Sequence, residues 1–335
     1  MENKPIKIGV LGVGHLGKIH LKCLRDVPAF ECIGFFDTND EAAQKAEKEF
    51  GLRRFATAED LINEAAAVDI VTPTISHFDL AQKALNAGKH VFLEKPVTQE
   101  PDQARELASI AKQTGLKIQV GHVERFNPAF LALKDFPVSP LFVEAHRLAP
   151  FNPRGTDVSV VLDLMIHDLD LLLSLIASPI AEIHASGVAL VSNAADICNA
   201  RIQFENGCVA NLTASRISLK QMRKLRIFQP DAYISLDFLE KDVQIIRLHD
   251  VDKVDPTKAS SMMPLETAKG KKLIQIESPQ IQPSNAIQME LASFAETISK
   301  DSEPIVGIQD GYRALDTAHW IQREMENSTQ KVLHH

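Results

Sequence analysis

A chain of 335 residues exceeds one ordinary small domain and suits two, and 45% hydrophobic with 24% charged residues is the profile of a globular protein, not a disordered one. The net charge of -8 argues against a general binder of nucleic acid or anionic membrane. Cys23, Cys32, Cys198 and Cys208 are scattered without a C-x-x-C pair, so neither a zinc knuckle nor a disulfide framework is suggested, and reduced thiols in a cytoplasm are expected.

The N-terminus, MENKPIKIGVLG, runs straight into glycines, unlike a secretory leader. The segment IKIGVLG reads as a buried strand, GKIHLKCLRDV as a helix, ECIGFFD as a strand, and NDEAAQKAEKEFG as a helix closed by Gly51. The strand AVDIVTPT, the helix HFDLAQKALNAG, the strand KHVFLEKP, the helix PDQARELASIAKQTG and the strand LKIQVGHV follow. Strand and helix in strict turn predict a doubly wound parallel sheet over residues 1–122.

From residue 123 the rhythm changes. Residues 160–177, VVLDLMIHDLDLLLSLIA, read as a helix that is apolar nearly all round, as in a helix buried inside a domain. As a membrane span it would carry several aspartates, each costing about 2.5 to 3.5 kcal/mol at the bilayer centre, so no membrane role is expected. Long runs of rough alternation follow, with ENG between Phe204 and Cys208 as a hairpin signal. Residues 123–335 are therefore expected to form an α+β domain with a large open, mostly antiparallel sheet. The stretch from Asp252 to Gly270 reads as an exposed loop, and two helices, about 284–300 and 309–327, close the chain.

Gly12, Gly14 and Gly17 form G-x-G-x-x-G between the first strand and the first helix. The first glycine permits the tight turn, the second a close approach by a pyrophosphate, and the third close packing of helix on strand. His15 and Leu16 lie inside this loop; His15 is either a cofactor contact or a solvated residue at the helix start. Asp37 ends the second strand, where a carboxylate accepts from both ribose hydroxyls and repels a 2′-phosphate, which predicts NAD over NADP.

Thr72, Pro73, Thr74 and His77 follow the third strand, and Glu94 and Lys95 end the fourth, at the carboxyl edge where open α/β sheets bind ligands. Pro96 holds Lys95 extended. These residues are expected around the cofactor, with Lys95 as a proton partner. In the helix over 160–177, Asp163, His167 and Asp170 fall at i, i+4 and i+7 on one face, while Asp168 points about 100° away. Asp163 and His167 read either as a core histidine satisfied by a helix aspartate or as a pair in which Asp163 orients His167 to exchange a proton with a substrate hydroxyl. Arg125, Asn127, Arg147 and Arg154 are candidates for a diphosphate or carboxylate on the substrate. His167, Asp163 and Asp170, with His122 or His146, could also ligate zinc, but nicotinamide chemistry needs no metal and no second ligand pair has diagnostic spacing, so no metal is expected.

Gly12-x-Gly14-x-x-Gly17, the segment TPTISHFDLAQKALNAGKHVFLEKPV and Asp163-x-x-x-His167, in this order, resemble the Gfo/Idh/MocA oxidoreductases over essentially the whole chain. The resemblance implies a Rossmann domain plus an open-sheet domain, with Lys95 and His167 flanking the reacting carbon above a nicotinamide. It also implies homodimers or homotetramers packed through the C-terminal sheet. GHVERFNP from Gly121 and DLMIHDLDLL from Asp163 are similar to the nucleotide-sugar dehydrogenases of that family, which implies oxidation at C3 of a UDP-N-acetylhexosamine. Oxidation of inositol or a free sugar, NAD-using glycoside hydrolysis, and non-catalytic nucleotide sensing are the alternatives.

Overall fold

The computed structural model describes residues 4–152, 158–255, 257, 262–268 and 270–333. The first part alternates as its sequence dictates: β1 (Ile6–Leu11), α1 (His15–Leu24), β2 (Phe30–Phe36), α2 (Asp40–Phe50), α3 (Ala58–Glu64) and β3 (Ala67–Ile70). It continues with α4 (His77–Asn86), β4 (His90–Glu94), α5 (Pro101–Thr114) and β5 (Ile118–Gly121). Local chemistry sets the boundaries. Asn39 caps α2 by accepting from the Ala42 N–H at 2.9 Å, and Gly51 ends it at φ 65°. Helix α3, absent from the sequence expectation, is short and opens on a Thr57 cap.

The five strands pair in parallel in the order β2-β1-β3-β4-β5. The order reverses between β1 and β3, so the loops after these two strands flank the switch point where doubly wound sheets bind ligands.

The second part contains α6 (Pro128–Leu131), β6 (Phe142–Leu148), α7 (Ile166–Leu175), β7 (Ile180–Val188), β8 (Ile197–Phe204) and β9 (Val209–Ser215). Strands β10 (Met222–Gln229), β11 (Ala232–Asp237), β12 (Asp242–Asp250), β13 (Met263–Thr267) and β14 (Gly270–Glu277) complete it. They form one nine-stranded sheet, β13-β14-β12-β11-β10-β6-β9-β8-β7, antiparallel except where β6 meets β9. Strand β13 lies inside the stretch expected to be loop; its side chains are all exposed, so it carries no apolar alternation to read.

Helices α8 (Ala286–Lys300) and α9 (Ile308–Leu333) close the chain. Residues 1–126 and 284–316 form one compact unit, 127–283 and 317–335 the other. The chain therefore leaves the first unit close to the expected boundary at 122, but 284–316 return to it. Helix α8 explains this: its Leu291, Phe294 and Ala295 are buried in the same core as Val10, Phe30 and Phe92. The other core joins Met165, Leu169 and Leu172 to Ala145, Leu212, Leu225 and Ile234 of the large sheet.

Candidate active site

At the end of β1 the backbone turns through Gly12 at φ +93°, where a Cβ would stand 2.9 Å from backbone atoms of Val71 and Thr72. That glycine lets the loops after β1 and β3 touch. A Cβ on Gly17 would lie 2.0 Å from the Gly12 carbonyl oxygen, whereas one on Gly14 would meet nothing within 4 Å. Gly14 is the N-cap of α1 and offers no capping side chain, so the first-turn N–H groups and the positive helix end are available to an anion. His15 is exposed and Leu16 half-buried in that first turn. Asp37 accepts from the Val13 N–H and the Asn39 N–H, each at 2.7 Å, which fixes its carboxylate beside the glycine loop. The three glycines, the uncapped helix and the fixed carboxylate fit a dinucleotide with free ribose hydroxyls.

Around the loop after β3, the Ser76 hydroxyl donates to Thr72 Oγ1 at 2.8 Å; Pro73 is exposed, and Thr74 opens a short 3-10 turn. Two residues expected to face the cofactor are turned inward. His77 is 1% exposed and its ring nitrogens lie 2.9 Å from the Thr72 and Pro96 carbonyl oxygens. It ties the loop after β3 to the one after β4 instead of lining a ligand site. Glu94 is buried, with its carboxylate 3.3 Å from His20 Nε2 and accepting the Lys95 N–H at 3.1 Å. Burial opposes its charge, but His20 and Lys95 outweigh it and hold the carboxyl below the usual range. Lys95 itself is half-buried.

In the second unit, residues Val161–Met165 form a π-turn that runs into α7, with the Ile166 N–H reaching the Val161 carbonyl five residues back. The spacing predicts an unbroken α-helix; the structure has one wide turn at Asp163, a feature concentrated at functional sites. Asp163 and His167 are half-buried, while Asp168 and Asp170 are 3% and 1% exposed. Asp163 lies on the wall of a cavity of about 530 Å³, lined also by Ala149, Phe151, Asn152, Arg216 and Gln221. That size suits a small ligand.

Arg125, Asn127 and Arg147 do not line this cavity. Arg147 is 3% exposed and its guanidinium fork is engaged by Asp168 at 3.0 and 2.8 Å. Asn127 caps α6, accepting the Ala129 N–H at 3.1 Å and donating to the Phe238 carbonyl at 3.2 Å. Arg125 lies 3.6 Å from Asp310. Arg147 and Asn127 are thereby engaged by the fold and not offered to a substrate anion in this cavity. Arg154 lies outside the described residues. Arg216, 5% exposed and hydrogen-bonded to the Val158 carbonyl, is the cavity guanidinium that sequence reasoning missed. It follows a strand in a segment without a motif, and only the fold brings it to Asp163.

Among the described residues no helix is long and apolar enough to cross a membrane, and all four cysteines are free thiols. The family model described as an oxidoreductase family with NAD-binding Rossmann fold matches residues 6–122, and the GFO/IDH/MocA C-terminal domain matches 142–234. The chain is 41% identical over 241 residues to UDP-N-acetylglucosamine 3-dehydrogenase of Acidithiobacillus ferrooxidans, spanning 72% of this chain and 76% of that protein. A solved structure of that enzyme superposes with TM-score 0.85 at 34% identity, covering 96% of this chain and 98% of that one. Over 65% of the chain there is 28% identity to scyllo-inositol 2-dehydrogenase (NAD(+)) of Bacillus subtilis, of which it covers 69%. Glycine loop, open-sheet domain and these matches agree: the chain belongs to the Gfo/Idh/MocA family of NAD-binding oxidoreductases.

Proposed function

We propose that the protein oxidises the C3 hydroxyl of a UDP-N-acetylhexosamine. The observation that carries this reading is the 41% identity to a UDP-N-acetylglucosamine 3-dehydrogenase across 72% of the chain. Bound NAD supplies the hydride acceptor. His167 takes the hydroxyl proton, and Asp163, four residues earlier in the wide turn, orients the imidazole and stabilises its protonated form. Lys95 donates a hydrogen bond to the developing alkoxide, stabilising charge only as it forms. Arg216 takes substrate oxygens in the cavity that Asp163 lines, and Arg147 positions α7 through Asp168. Asp37 selects the unphosphorylated ribose.

The protein is also proposed to assemble as a homodimer or homotetramer through its large sheet. The pairing register puts Phe142, Phe228, Tyr233, Ile246 and Ile276 on one face, opposite the buried Leu225, Ile227 and Ile245. Phe228 packs on Phe142 and Tyr233 with ring centroids 5.9 and 5.0 Å apart, and Ile276 is 56% exposed. Such an apolar ladder on a sheet face calls for a cover. Light scattering should show a multimer that Phe228→Glu with Ile276→Lys converts to monomer; a monomeric wild type would refute the assembly.

The activity is tested by following nicotinamide absorbance with NAD and UDP-N-acetylglucosamine, with the keto product trapped, against scyllo-inositol, free sugars and a nitrophenyl glycoside. NADH should form with the nucleotide sugar, and Lys95→Ala and His167→Ala should each lower kcat by about 10²- to 10⁴-fold. Turnover of inositol but of no UDP-sugar would refute the substrate. Undiminished turnover in both variants would refute the mechanism.

A further inference from the structure

Beneath the cofactor loops, the first unit buries an ionisable cluster that the proposed dehydrogenase chemistry leaves unused. His20 of α1, Asp69 of β3 and Glu290 of α8 are 0% exposed, and Glu94 is 6% exposed. Asp69 Oδ2 lies 2.9 Å from His20 Nδ1. This contact holds the Nδ1–H tautomer and turns Nε2 toward Glu94 and Glu290. One donor atom each from His20, Glu94 and Glu290 lie within 4.8 Å of one another. Both carboxylate oxygens of Glu290 have no hydrogen-bond partner, and His20 Nε2 faces the Glu94 carboxylate at 3.3 Å. Gln119 secures the spot by donating to the Glu290 backbone carbonyl at 2.6 Å.

Three carboxylates around one imidazole, away from water, require neutralisation. A proton on His20 and another on Glu290 bring the cluster to one net negative charge, and so does one divalent cation with neutral His20. The two solutions differ in geometry. A proton on Glu290 satisfies one oxygen of one carboxylate, whereas a cation engages the imidazole nitrogen and both glutamates at once. A carboxylate behind the ligating histidine is the usual support of such an ion. We propose that His20 Nε2, Glu94 and Glu290 form a buried site for one divalent first-row metal ion, with Asp69 orienting the histidine. The nitrogen and carboxylate donors suit Zn²⁺ or Mn²⁺. Full burial makes the ion structural, and through Glu94, which accepts the Lys95 N–H, it braces the chain at Lys95.

The test is elemental analysis of the full-length protein expressed with added zinc and manganese and purified without metal-affinity resin. About one ion per chain is expected, falling below about a tenth in Glu290→Gln. Wild-type content under about half an ion overturns the proposal, and so does content that Glu290→Gln leaves unchanged, since such metal sits elsewhere, for instance on His334 and His335. Should the variant not fold, anomalous scattering from wild-type crystals at the metal edge decides: a peak between His20 and Glu290 supports the site, and a peak elsewhere or none overturns it.

Discussion

Arg147 of β6 and Asp168 of α7 form a buried bidentate ion pair, Nε to Oδ2 at 3.0 Å and Nη2 to Oδ1 at 2.8 Å. Both are almost fully buried, at 3% exposure each. Asp168 neighbours His167, so the pair fixes the turn of helix that carries the proposed base. Removing one partner leaves the other charged and dry. Arg147→Ala or Asp168→Ala should therefore cost about 3 to 5 kcal/mol in urea unfolding, while Arg147→Met with Asp168→Leu recovers most of it. Activity should fall in the double variant despite its recovered stability. Full activity there would show that the pair has no part in placing His167.

That pair also marks where sequence reading stops. Asp163, His167, Asp168 and Asp170 stand out because charges in an apolar helix need a reason, and the glycine loop stands out because its parts are contiguous. Periodicity finds β1 to β5 because buried parallel strands and their helices alternate locally. Asp168 finds Arg147 across 21 residues, and Glu290 meets His20 from the far end of the chain. No local pattern encodes such contacts. The same limit assigned 284–316 to the second domain, pointed His77 and Glu94 outward and passed over Arg216. The wide turn at Asp163 has the composition of an ordinary helix.

The glycines of the loop should separate fold from binding. Gly14 holds φ -61° and ψ -160°, which alanine can adopt, and a Cβ there meets nothing within 4 Å. Gly14→Ala should keep the melting temperature and weaken NAD at least about tenfold by calorimetry, because the methyl occupies the path of the pyrophosphate. Gly17→Ala forces a Cβ to 2.0 Å from the Gly12 carbonyl and should cost about 1 to 3 kcal/mol before any ligand is added. Equal NAD affinity in Gly14→Ala would remove the pyrophosphate from this loop.

Asp37 should set the choice of dinucleotide. Its two oxygens are pinned by the Val13 and Asn39 N–H groups, so the charge stays where a 2′-phosphate would come. Asp37→Ser should lower kcat/KM for NAD about tenfold or more and raise it for NADP, since it removes both the ribose acceptor and the repulsion. Asp37→Asn, neutral but still an acceptor, should relieve the repulsion while keeping part of the ribose contact. An unchanged NAD to NADP ratio in both variants would assign the discrimination to another group.

His77 should make the cofactor loops sensitive to acid. Burial lowers its pKa below the ordinary 6.5, against the contrary pull of the Thr72 and Pro96 carbonyls and the Glu94 charge. Its native imidazole is therefore neutral and donates to one of the two carbonyls it touches. Between the folded value and 6.5 the unfolded chain binds the proton that the native state refuses, so stability rises with pH across that window and is lost as pH falls through it. His90, lowered by burial and Lys117, acts in the same direction. The comparison isolating His77 is with His77→Asn, an amide that can still bridge the loops but does not titrate. Melting temperatures of wild type and variant, scanned downward from pH 7, should diverge below about 6.5, with the wild type falling faster. Parallel curves would mean that His77 keeps its ordinary pKa in the folded chain.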